Sequence, residues 1–89
     1  MSSMRLAFSS DGLTLLSSLR EAQHATIVEV RADRFGRSDR LLSLGVTPGA
    51  RVTMLQRFPG VVFLCDQTEL AVERNVADAV MVRLQENVR

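Results

Sequence analysis

The sequence predicts a mainly β fold: a small barrel of about five short antiparallel strands with one or two short helices. Three observations carry that expectation. Short segments rich in β-branched residues alternate apolar with polar positions. The dipeptides Pro48-Gly49 and Pro59-Gly60 punctuate those segments at turn and hairpin spacing. Finally, 89 residues fill only one modest core, so a sheet curled on itself is the economical way to bury one face and hide the strand edges.

Residues 1–12 mix Ser, Asp, Gly and isolated apolar side chains without a period and read as a flexible leader, which leaves 13–86 as the folded domain. Thr14 is placed to cap a short helical turn whose Leu16 and Leu19 share a face and plug one end of the barrel. Ala25 to Arg31 reads as a strand whose inward phase is split between Ile27 and the pair Val28 and Val30, a conflict that a β-bulge resolves. Ala32 to Arg37 has no period and reads as a loop containing Gly36, after which Ser38 offers a helix N-cap. In the helix that follows, Asp39 meets the positive end of the dipole, Leu41 and Leu44 share a face, and Gly45 is the left-handed C-cap.

Thr47-Pro48-Gly49-Ala50 matches a type II turn, because Pro presets the backbone at the second position and Gly accepts a positive φ at the third. Three strands then form a meander: Arg51 to Phe58 with Val52 and Met54 facing one way, Val61 to Cys65, and Glu69 to Glu73 with Leu70 and Val72 together. They are joined at Pro59-Gly60 and around Asp66-Gln67-Thr68. Asn75 caps one helical turn through Ala79, and Val80, Val82 and Leu84 alternate with Met81 and Arg83 in a last strand that closes the sheet.

Charge and cysteine content narrow the function. Eleven Arg oppose ten acids, and a net charge of +1 gives no general attraction to nucleic acid or anionic lipid. With neither Trp nor Tyr, a stacking platform for single strands is also missing, so no nucleic-acid partner is expected. The longest apolar runs are far too short to span a bilayer, so no direct membrane insertion is expected. One cysteine, Cys65, makes no internal disulfide and points to a reducing compartment.

The segment Arg40-Leu41-Leu42-Ser43-Leu44-Gly45-Val46-Thr47-Pro48-Gly49 closely resembles the signature of the FeoA family: Arg-Leu, a short spacer, then Leu-Gly-hydrophobic-x-Pro-Gly. Leu44, Gly45, Pro48 and Gly49 carry that structural motif. Leu16-Ser17-Ser18-Leu19 before Ala25-Thr26-Ile27 is similar to the family's opening, while Leu70-Ala71-Val72 and Ala79-Val80-Met81-Val82 are similar to its later strands. The chain departs from the pattern at Glu21-Ala22, where the family has Pro-Gly, and around Asp66-Gln67, where a hairpin Gly is replaced. The resemblance implies an SH3-like barrel that binds and modulates FeoB, the membrane G protein that imports ferrous iron. It further implies a cytoplasmic location, peripheral to the inner membrane through that partner, and transition-metal binding at the level of the family. A rival reading is a free-standing regulatory module related to the C-terminal domain of DtxR-type iron-dependent repressors. Assembly with itself stays open under either.

No catalytic residue, metal ligand or cofactor is expected from the residues themselves. His24 and Cys65 are the softest donors but belong to no spaced pair or triplet, and His24 is the one histidine available as a base. Their plainer readings are a solvated residue entering a strand and a small apolar strand residue. Asp66, Glu69 and Glu73 read as an exposed hairpin face and not as a catalytic pair. The candidates for function are therefore contacts. Arg31, Arg34, Arg37 and Arg40 recur every third position and read either as a solvated rim or as a docking patch for an acidic surface. With Leu41, Arg57 and Phe58 beside them, Arg34, Arg37 and Arg40 are the expected partner-binding residues.

Overall fold

The computed structural model describes residues 12–31 and 37–85, without the side chains of Arg37 and Ser38. Strands β1 (Leu13–Leu15), β2 (His24–Val30), β3 (Arg51–Gln56), β4 (Val61–Cys65), β5 (Thr68–Val72) and β6 (Val80–Leu84) form one antiparallel sheet in the order β1-β6-β2-β3-β4-β5. Helix α1 (Arg37–Ser43) follows β2, helix α2 (Arg74–Ala77) joins β5 to β6, and a 3₁₀ turn occupies Leu16–Ser18. Among the described residues β1 and β5 are not paired, so the hydrogen-bonded ladder curls around the core and ends on two edges without closing.

One face of every long strand is apolar, and those faces meet. Val52 and Met54 on β3, Val61 and Phe63 on β4, and Val80 and Val82 on β6 are fully buried with Ile27, Leu16 and Leu19. The split phase of β2 is settled by a register shift between Ile27 and Glu29. Val28 is the extra residue, turned out to solvent, and the strand bends there. A second shift between Met54 and Gln56 turns Leu55 outward and ends β3 two residues earlier than its composition predicts. Curvature from two bulges lets so short a sheet wrap a core.

The turns match their sequence chemistry. Helix α1 stops at Ser43 and Gly45 takes φ 100, while Gly49 takes φ 96 with the Ala50 N–H donating to the Thr47 carbonyl at 3.0 Å. Ala22 (φ 74) and Asp66 (φ 55) stand in the left-handed region although neither is glycine.

Five expectations need correction. The last strand does not close the sheet, because among the described residues β1 and β5 are left as edges. Thr14 does not cap a helix: it lies in β1 opposite Val82, and the turn after it has no side-chain cap. A three-residue strand is too short to show a period, and its partner comes from the far end of the chain. Ser38 lies inside α1, which already includes Arg37, and Asn75 lies inside α2, whose N-cap is Glu73. Leu41 is buried, but Leu44 is 47% exposed, because α1 ends before its last turn reaches the core. The leader through residue 11, the loop positions 32–36 and Arg34 with them lie outside the described residues.

Candidate functional site

Two neighbouring features stand at the end of the sheet where β5 passes into α2. The first is the β3–β4 turn. β3 ends at Gln56, so Arg57 and Phe58 belong to this turn and not to the strand. Phe58 is 67% exposed. Its ring lies 4.5 Å from the Arg74 guanidinium carbon and 5.8 Å from that of Arg57, both within cation–π reach. The Arg74 Nη2 donates to the Arg57 carbonyl at 3.0 Å, which ties the helix to the turn. Arg57 is half-buried, and its Nε is enclosed without a hydrogen-bond acceptor.

Hairpin register explains why Arg74 arrives there. The two-residue turn Asp66-Gln67 pairs Cys65 with Thr68 and Val61 with Val72, and two more steps along the same register set Arg74 beside the Phe58–Gly60 turn. The sequence holds that count, but only once the turn is placed at Asp66-Gln67 and not at three residues. Arg74 was therefore missed among the expected site residues.

The second feature is a cleft between α1 and the β5–α2 junction, lined by Arg40, Leu41, Leu44, Val72, Glu73 and Val76. Leu41 and Val76 form its buried wall, Leu44 is its exposed lip, and Arg40 is solvated. Glu73 lines the cleft and Arg74 reaches the Phe58 ring, so the β5–α2 junction carries both features. The structure thus sets Arg40 with Leu41, and Arg57 with Phe58, each against the β5–α2 junction. Arg34 and the Arg37 side chain lie outside what is described. Leu44 joins the cleft, while Gly45, Pro48 and Gly49 shape the loop behind it.

A second depression, lined by His24, Arg51, Thr53, Asp66, Gln67 and Gln85, is polar. His24 is exposed and its Nδ1 lies 2.8 Å from Thr53 Oγ1. Cys65 is buried instead, with its Sγ 3.4 Å from the Gly45 carbonyl. Burial, then the neighbouring Asp66 carboxylate, pushes the Cys65 thiol up. The two soft donors therefore sit in different surroundings, solvent and core. Among the described residues no three His, Cys, Asp or Glu side chains converge as metal ligands.

The comparisons with known proteins now decide the family. A model of the FeoA domain matches residues 14–84, which is nearly the whole described chain. The chain belongs to the FeoA domain family. A comparison with curated proteins found no match. Among solved structures, an iron uptake regulatory protein, FeoA, is 25% identical with a TM-score of 0.72, covering 82% of this chain and 99% of that one. The FeoA of Stenotrophomonas maltophilia in complex with zinc, described as a prokaryotic SH3 domain protein, is 24% identical with a TM-score of 0.70, covering 78% of this chain and 88% of that one. T. acidophilum IdeR shares the fold at 20% identity and a TM-score of 0.74, covering 82% of this chain but only 34% of that one. This FeoA domain is thus SH3-like in fold. Its motif residues Leu44, Gly45, Pro48 and Gly49 lie between helix α1 and strand β3, with Leu44 on the lip of the cleft.

Proposed function

We propose that this FeoA domain is a non-enzymatic accessory protein of ferrous iron uptake that binds a FeoB-like membrane GTPase transporter from the cytoplasmic side and modulates it by contact. The observation that carries this reading is the FeoA-domain match over residues 14–84. The S. maltophilia relative is described as a candidate ferrous iron transport activating factor, which points the same way. The geometry agrees with a contact role. The prominent surface features are an exposed aromatic ring held by two guanidinium groups and an apolar cleft with a cationic lip. Among the described residues no helix is long and apolar enough to cross a membrane, so in this reading the domain reaches the inner membrane through its partner.

Arg40, Leu41, Arg57 and Phe58 make the contact, with Arg34 and Arg37 extending it. The test is binding of the purified protein to the soluble G domain of the FeoB-like transporter from the same genome, together with ferrous uptake in a deletion strain. Binding and impaired uptake are expected. Normal uptake with no binding to any soluble part of the transporter would sink the reading.

A second reading is a free-standing regulatory module, favoured by the fold shared with part of T. acidophilum IdeR. In that case the protein captured from iron-starved cells is a repressor or a second copy, and the transporter domain is absent from the pull-down.

A further inference from the structure

We infer that the Arg57–Phe58–Arg74 turn and the adjoining cleft form one recognition surface for an acidic segment of a protein partner, with an apolar side chain seated in the cleft and carboxylates on the guanidinium groups. The inference rests on the reading of this domain as a contact module and specifies what it contacts. Phe58 is the most exposed of the large apolar residues described, at 67%. It is nonetheless not loose: two guanidinium groups lie over or beside its ring, and one of them is hydrogen-bonded back to the main chain of the turn. An exposed aromatic fixed in advance loses little rotamer freedom on binding, and Arg with aromatics are the residue types that dominate interface energetics.

Charge selects the occupant. Among the described residues the turn and cleft together carry Arg40, Arg57 and Arg74 against the carboxylate of Glu73, although the whole chain has a net charge of only +1. Arg57 is already partly withdrawn from water, with an Nε that has no acceptor. A carboxylate arriving on that guanidinium meets a group whose desolvation is partly complete, so the new ion pair costs less than one made from two hydrated ions. The cleft between Leu41, Leu44, Val72 and Val76 supplies the apolar contact beside it.

A lipid surface is the weaker candidate. Recognition of anionic headgroups takes clusters of about four to eight cations, and one apolar anchor is stable only beside such a cluster or a second anchor. Among the described residues the turn and cleft hold three Arg and one exposed ring.

The experiment has two arms. In the first, a displayed random-peptide library is selected on the wild-type protein and on Phe58→Ala and Arg74→Gln, each checked for native far-UV circular dichroism. Wild type should enrich peptides in which Asp or Glu flank an apolar residue, and both variants should lose that enrichment. In the second, the soluble domain of the FeoB-like transporter is titrated with the same proteins at low and high salt. Phe58→Ala should weaken binding about 30-fold, and Arg74→Gln should flatten its salt dependence. A library without acidic enrichment, or enrichment unchanged in both variants, overturns the inference. So does a transporter domain that binds all three proteins equally, which leaves the contact function standing. Acidic enrichment with no transporter binding supports the surface and removes the transporter as its partner. Phe58-dependent binding to phosphatidylserine vesicles, or Phe58-dependent dimers in sedimentation, in place of peptide binding also overturns it.

Discussion

At Ala22 and Asp66 the backbone demands what glycine supplies, and the chain has other residues there. Both positions were visible in the sequence as departures from the family pattern, but what they cost was not. Left-handed φ costs a non-glycine residue about 1–2 kcal/mol, part of which Ala recovers because glycine loses more backbone freedom on folding. Ala22→Gly is therefore expected to stabilise the fold by about 0.5–1 kcal/mol, read from urea midpoints at unchanged m-value. Asp66→Gly gains less, because Asp tolerates this region and its Oδ1 accepts from the Arg51 N–H at 3.2 Å. Equal gains at both sites would refute the distinction. Cys65 behaves differently. Its raised pKa comes from burial first and Asp66 second, so the folded state disfavours the thiolate. The sign follows: the contribution is complete below the ordinary thiol value of 9.0 and is lost as pH rises from there through the folded-state value. The stability difference between wild type and Cys65→Ala should hold steady up to about pH 9 and narrow above it. A difference that widens with alkaline pH contradicts the assignment.

Strands and helices were legible where the pattern was long or self-contradictory. β2 is the clearer example: Ile27 and Val30 fit opposite phases of a regular strand, and only an inserted residue between them lets Ile27 face the core. The bulge shows at Val30, which packs against the core although a regular strand with Ile27 inward would turn it to solvent. Val28→Thr changes an exposed bulge residue and should shift stability by no more than about 0.5 kcal/mol, whereas Val30→Ala should cost about 1–2 kcal/mol. A Val30→Ala variant as stable as wild type would mean that the strand runs through without the shift. β1 shows the opposite case. Leu13, Thr14 and Leu15 carry no period, and their strand character comes from pairing with Arg83, Val82 and Met81. Local reasoning assigns such a segment to a helix cap because nothing nearby opposes it. The candidate site divides in the same way. Arg40 and Leu41 were legible because they lie in one helical turn, and Arg57 and Phe58 because they are neighbours in the chain. Arg74 joins them through hairpin register, a long-range fact.

For the molecule as a whole, the question is where the folding unit begins. The proposed domain starts at residue 13; β1 pairs along β6 from Leu13, and the Leu84 N–H also donates to the Gly12 carbonyl at 2.9 Å. The 3₁₀ turn that follows carries more of the energy than the strand. Leu16 and Leu19 are buried to 0% and 1% exposure, and Ser17 hydrogen-bonds through its hydroxyl to the Asp78 carboxylate, pinning the plug to the end of α2. Losing two fully buried leucines costs about 2–5 kcal/mol each, against a total stability of about 5–15 kcal/mol for a domain. A chain beginning at Gly12 should therefore melt within a few degrees of the full-length protein, and a chain beginning at Arg20 should not fold. The two truncations remove segments that differ by only eight residues, so chain length alone does not separate their outcomes. Because the protein has neither Trp nor Tyr, the readout is far-UV circular dichroism with amide proton dispersion by NMR. A chain from Arg20 that keeps a cooperative melt would show that β2 to β6 hold the core without the plug. The open end left behind would then be a surface of the native fold and not a wound in it.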